Sequence, residues 1–194
     1  MPRAPRYRRR VRHVIVLVAL AVAVAACGSP APAPDAADVS VPDGFEVVEV
    51  VTGLDGPTQV VVTEDGDLVV AQLAGGERDG TGQVLRIGAD DPTEPTVLVD
   101  GLLVPTGVAV VGDELWVMEQ RTLTRGPLGA DDRVVVAEEL PYNGRSNGTL
   151  TVLADGSVLF NTSGSERGGG VVEDSGRLWT VTAGGDPVEL ASGF

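Results

Sequence analysis

The chain has 194 residues, is 43% hydrophobic but only 4% aromatic, and carries a formal net charge of −14. Its basic residues are all arginine, its one cysteine is Cys27 and its one histidine is His13. Lysine Schiff-base chemistry, disulfides, zinc-thiolate sites and, beyond residue 13, imidazole base catalysis are therefore excluded, and so excess an acid charge disfavours nucleic acid.

The chain opens on a targeting segment, residues 1–27. Six arginines (Arg3, Arg6, Arg8, Arg9, Arg10 and Arg12) precede Cys27 and no Asp or Glu does, which leaves the rest of the chain at about −20. Val14–Ala26 is an apolar run too short to span a bilayer as a helix, which needs about 20 residues. It ends in Val24-Ala25-Ala26-Cys27, which resembles the bacterial lipobox, so Cys27 is the predicted acylated N-terminus of an extracytoplasmic protein anchored to the cell membrane. The alternative is an ordinary secretory signal in which Cys27 is incidental. Residues 28–44 are rich in Pro, Ala and Ser and read as an extended tether.

The folded part is expected over 45–194. Phe45–Thr52 (FEVVEVVT) reads as a strand leading to Gly53-Leu54. Gly53–Ala71, GLDGPTQVVVTEDGDLVVA, then returns at Gly101–Met118 as GLLVPTGVAVVGDELWVM. Gly53, Leu54, Pro57 and Thr58 match Gly101, Leu102, Pro105 and Thr106. After one deletion in the turn, Leu68 and Val70 match Leu115 and Val117. A looser third copy, Asn147–Phe160, puts Leu150, Val152, Val158 and Phe160 in the apolar places. Each copy is two apolar runs around a tight turn, a hairpin, and the six residues Leu68, Val70, Leu115, Val117, Val158 and Phe160 are its expected core.

Third strands are predicted at Gln83–Ile87, Leu123–Arg125 and Arg177–Val181. Outer strands are predicted around Val97–Val99, Val134–Val136 and Val188–Leu190. A period of roughly 45 residues built this way predicts an all-β fold, a β-propeller of four-stranded blades. Three blades are present, at roughly 54–100, 102–139 and 147–191, as part of a six-bladed ring. Three blades do not close, since propellers typically have about four to eight. Either the sequence is a fragment or another chain completes the ring, and Phe45–Thr52 is an outer strand whose blade is elsewhere. A β-sandwich with coincidental self-similarity is the competing architecture.

In propellers, loops leading into inner strands and loops after second strands share the end that usually binds ligands. That end collects Gln72, Glu77 and Arg78; Glu119, Gln120 and Arg121; Tyr142, Asn143, Arg145, Ser146 and Asn147; and Thr162, Ser163 and Ser165. The ligand-binding candidates are Gln72, Glu119, Gln120, Arg121, Asn143, Arg145, Ser146 and Asn147; amides and an arginine suit a polyhydroxylated or anionic ligand, and turn formation is the competing reason for Asn and Gly there. Ser163 and Ser165 have no histidine to form a triad. Calcium has two candidate acidic pairs, Asp65 with Asp67 and Asp131 with Asp132, neither with calcium-loop spacing.

Three stretches resemble the glucose/sorbosone dehydrogenase-like propellers, whose active members use pyrroloquinoline quinone (PQQ): Pro42–Thr58, Leu140–Gly164 (LPYNGRSNGTLTVLADGSVLFNTSG) and, as the start of a further motif, Leu190–Phe194. The resemblance implies a propeller, PQQ as cofactor, oxidation of a sugar or other alcohol, and Arg145 and Asn147 near the ligand. Active members place a catalytic His at the head of the segment that Leu140–Gly164 resembles. Here Ser146 is the nearest match, and a hydroxyl does not take that proton unaided. Two functions remain: a PQQ-dependent oxidoreductase in its complete form, or a non-catalytic propeller binding carbohydrate or a protein partner.

Overall fold

Short runs of β-branched residues, broken by glycines in turn conformations, build the chain. The computed structural model describes residues 39–75, 79–130, 132–141, 147–164 and 175–193. The targeting segment, Cys27 and most of the tether lie outside them. The chain divides into two units, Met1–Val48 and Glu49–Phe194. In the described part of the first, the backbone makes one turn, with Phe45 N donating to Pro42 O at 3.1 Å.

The second unit is all β. Its described residues form three four-stranded antiparallel sheets and no helix, so none is long and apolar enough to cross a membrane. The first sheet holds β1 (Pro57–Val62), β2 (Leu68–Gln72), β3 (Gly82–Ile87) and β4 (Thr96–Leu102). The second holds β5 (Gly107–Val111), β6 (Glu114–Met118), β7 (Leu123–Pro127) and β8 (Val134–Ala137). The third holds β9 (Thr151–Val152), β10 (Val158–Asn161), β11 (Arg177–Val181) and β12 (Val188–Ser192). Within each sheet the strands follow chain order. These are propeller blades, and together they are part of a β-propeller.

The copies keep one register. Val62 pairs with Leu68, Val110 with Leu115 and Val152 with Val158. In the first and third copies the turn is closed by Gly66 N to Thr63 O (3.0 Å) and Gly156 N to Leu153 O (2.9 Å). The second copy, one residue shorter, closes more tightly: Val111 pairs with Glu114 around Gly112-Asp113, and Gly112 takes the positive φ (57°) that such a turn requires. The deletion therefore changes the turn and leaves the strand pairing intact.

The second strand of a blade lies between its neighbours, which explains why its sequence is almost wholly apolar. In β6, Leu115 and Val117 join the first and second sheets in a core with Val69, Ala71, Val84 and Val108. The alternate residues Trp116 and Met118 join the second and third, with Leu150, Val158 and Phe160. All four β6 side chains are fully buried.

Two expectations change. No strand forms over Phe45–Thr52, and Phe45 is 73% exposed. An outer strand is stable only on a ladder partner, and no described sheet supplies one. Of the six expected core residues, Val70, Leu115, Val117, Val158 and Phe160 are buried, whereas Leu68 is half-buried. It begins β2, beside the hairpin turn, on the face away from the second sheet.

Gly107 begins β5 where no Cβ fits. One built there would lie 2.9 Å from both Leu150 Cγ and Met118 Cβ, and 3.0 Å from Gly148 O. Gly107→Ala should therefore destabilise the chain by about 1–3 kcal/mol, measured by urea unfolding. An unchanged midpoint would contradict this packing.

Candidate functional site

The candidate residues at the inbound-loop end serve first to hold those loops. Gln72 closes β2 and its side chain turns back on the loop leading into β1. Its Oε1 accepts from Asp55 N at 3.0 Å, and its Nε2 donates to Gln83 Oε1 at 3.1 Å. One copy later, Glu119 follows β6, and its Oε2 accepts from Leu103 N at 2.7 Å. Asp55 and Leu103 occupy the same place, two residues before Pro57 and Pro105. The side chain ending the second strand accepts from that loop N–H in both copies.

The pins continue from blade to blade. Thr58 Oγ1 donates to Pro105 O at 2.7 Å, joining the first blade to the second blade's inbound loop. Gln120 contributes its main chain: its N–H donates to Leu103 O at 3.0 Å, and its carbonyl accepts from Asn147 Nδ2 at 3.1 Å. Asn147 is 2% exposed, and its Oδ1 accepts from Ser163 N at 2.9 Å and Ser163 Oγ at 3.2 Å. Arg121 is exposed, while its carbonyl accepts from Leu140 N. Asn143, Arg145 and Ser146, with Glu77, Arg78, Tyr142 and Ser165, lie outside the described residues. Glu119, Gln120 and Asn147 therefore share a network, and Gln72 makes the equivalent bond one copy earlier, rather than all pointing free groups at a ligand.

Glu119 is the electrostatically distinct member. It is half-buried, and loss of water raises its pKa above the ordinary value of 4.5, against the opposing pull of the Leu103 N–H and Arg133. Of the calcium candidates, Asp67 is already engaged. Its oxygens accept from Ala89 N at 2.9 Å and Arg86 Nε at 2.6 Å, and these bonds lower its pKa. Asp131 lies outside the described residues, and among those described no group of three or more His, Cys, Asp or Glu is placed to hold a metal.

Gln59, on β1, was not a candidate, yet it reaches all three blades. Its Oε1 accepts from Val108 N and Leu150 N, both at 3.0 Å, and its Nε2 donates to Leu150 O at 2.9 Å. The available signal was a lone amide inside the run PTQVVV, at the position where the second copy has Gly107.

No protein-family model matches the chain, and no curated protein matches its sequence. Solved structures do share the fold. The holo PQQ domain of pyranose dehydrogenase from Coprinopsis cinerea has 15% identity and a TM-score of 0.56, over 73% of this chain and 37% of that one. A Trichoderma reesei carbohydrate-active enzyme of family AA12 has 18% identity and a TM-score of 0.58, over 73% and 39%. The PQQ-bound aldose sugar dehydrogenase of Streptomyces coelicolor has 18% identity and a TM-score of 0.52, over 69% and 46%. The chain thus shares its β-propeller fold with these structures, and it spans less than half the length of the three.

Glu119→Gln keeps an acceptor for Leu103 N and removes the charge. Since the folded-state pKa of Glu119 is raised, its stabilising contribution is present below 4.5 and is lost as pH rises through the folded-state value. Stability of the unsubstituted chain should therefore fall relative to Glu119→Gln as pH rises from about 4 to neutrality, read from urea midpoints. Parallel pH profiles would contradict the burial of this carboxylate.

Proposed function

We propose that this chain is a lipid-anchored, extracytoplasmic propeller that binds a sugar or polyol at its inbound-loop end. The observation that carries the reading is the pairing of a sugar dehydrogenase-like propeller fold with a chain whose one histidine, His13, precedes the predicted acylation site Cys27. Residues 28–194 offer no imidazole to take a carbinol proton near neutral pH, and a placed general base contributes about 10²–10⁴-fold. What remains is a polar loop end suited to hydroxyl groups, with Arg145 and Arg121 as its expected donors.

PQQ fits the described residues poorly. It is a polyanionic quinone, whereas this end carries the carboxylate of Glu119, and the amides of Gln72 and Asn147 are already engaged. The second reading, oxidation of a sugar or alcohol with PQQ in a complete protein, is favoured by one feature: burial shifts the pKa of Glu119 upward, the direction a carboxylate base requires. The net acidity supports a partner that is not nucleic acid.

Two experiments test this. Calorimetry of the purified chain against aldoses and polyols should give saturable binding, weakened about tenfold or more by Arg145→Ala. Adding PQQ and calcium should give no sugar-dependent dye reduction. Turnover that disappears in Glu119→Ala would favour the enzyme, and absence of any sugar binding would defeat the proposal. Separately, Cys27→Ser should leave the protein unprocessed or release it from the membrane fraction. Processing of the unsubstituted chain without an acyl mass on Cys27 would refute the anchor.

A further inference from the structure

We propose that Glu119 is a clamp on a strained junction between the first two blades, holding the loop Leu102–Pro105 in a conformation it would otherwise leave. The strain is local and visible in the backbone. The residue before the loop proline has positive φ in both copies: 64° at Gly56 and 52° at Val104. Glycine takes this conformation freely, whereas a β-branched residue there is an outlier. A following proline restricts the backbone further. The second copy thus meets the same geometric demand as the first, with a side chain unsuited to it.

The clamp differs between the copies in the same place. Where the unstrained Gly56 loop is pinned by the neutral amide of Gln72, the strained Val104 loop is pinned by a carboxylate. The Leu103 N–H bond favours the carboxylate form of Glu119 while its desolvation, the larger effect, opposes that form, and the two clamp distances are 2.7 and 3.0 Å. The loop is also the covalent passage from β4 to β5, and it receives Thr58 Oγ1 at Pro105 O. Gln120, next to the clamp, hands the restraint to Asn147 of the third copy. Releasing Glu119 would let Val104 relax and shift the passage between blades, so a cationic or hydroxyl-bearing group that competes for this carboxylate would act on the junction itself.

The test is amide hydrogen exchange in the full chain. The reporter is Gln120 N–H, which donates to Leu103 O and does not touch the Glu119 side chain. Glu119→Ala should speed exchange at both Leu103 and Gln120 by about tenfold or more. Adding Val104→Gly should restore Gln120 towards its original rate while Leu103, without its acceptor, stays fast. Acceleration confined to Leu103, or failure of Val104→Gly to rescue Gln120, would overturn the proposal. Should Glu119→Ala not fold, recovery of folding in the double variant supports the clamp and its absence overturns it.

Discussion

The packing of the three blades depends on the Gln59 side chain. One amide satisfies Val108 N, Leu150 N and Leu150 O, groups that belong to the inner strands of the second and third copies. Val108 is fully buried and Leu150 is 2% exposed. Without the amide these backbone groups would stay buried and unpaired, each at a cost of about 1–3 kcal/mol. The first blade thereby closes the hydrogen bonding of the other two, and the apolar layers on either side of β6 can form only with the inner strands in those places. This also accounts for Gly107. A side chain at the position equivalent to Gln59 would meet Leu150 and Gly148, the ground that Gln59 already serves.

Set against that fixed frame, the copies drift where the frame allows it. Strand register is common to all three, because slipping by one residue would turn the apolar set out of the core. The turns are not common, and one loses a residue without consequence for pairing. The inbound loops drift in a correlated way. Gly56 with Gln72 becomes Val104 with Glu119, so a backbone that tolerates its shape is replaced by one held to it.

The fold was largely legible. Gly-Leu-x-x-Pro-Thr and the paired apolar runs located all three blades, because each hairpin leaves two apolar runs about a turn that carries a glycine. Phe45–Thr52 misled, since a run such as FEVVEVVT shows what suits a strand and not whether a partner is present. Leu68 misled for a related reason: position in a repeat gives the face a residue occupies, not what covers it. The inbound loops were legible as one end of the blades. The roles of Gln72, Glu119 and Asn147 were not, because composition reveals polar groups but not that backbone N–H and C=O groups have already taken them. Gln59 showed only as a lone amide in an apolar run, as its partners lie one and two blades away in the sequence.

The most direct measurement is hydrogen exchange of the Val108 and Leu150 amides in Gln59→Leu, which keeps an apolar body on β1 and removes the amide. Both amides, in different blades, should lose protection together, and unfolding stability should fall by about 3 kcal/mol or more. Retained protection at both amides, or loss at Val108 with Leu150 unchanged, would contradict the dependence on Gln59.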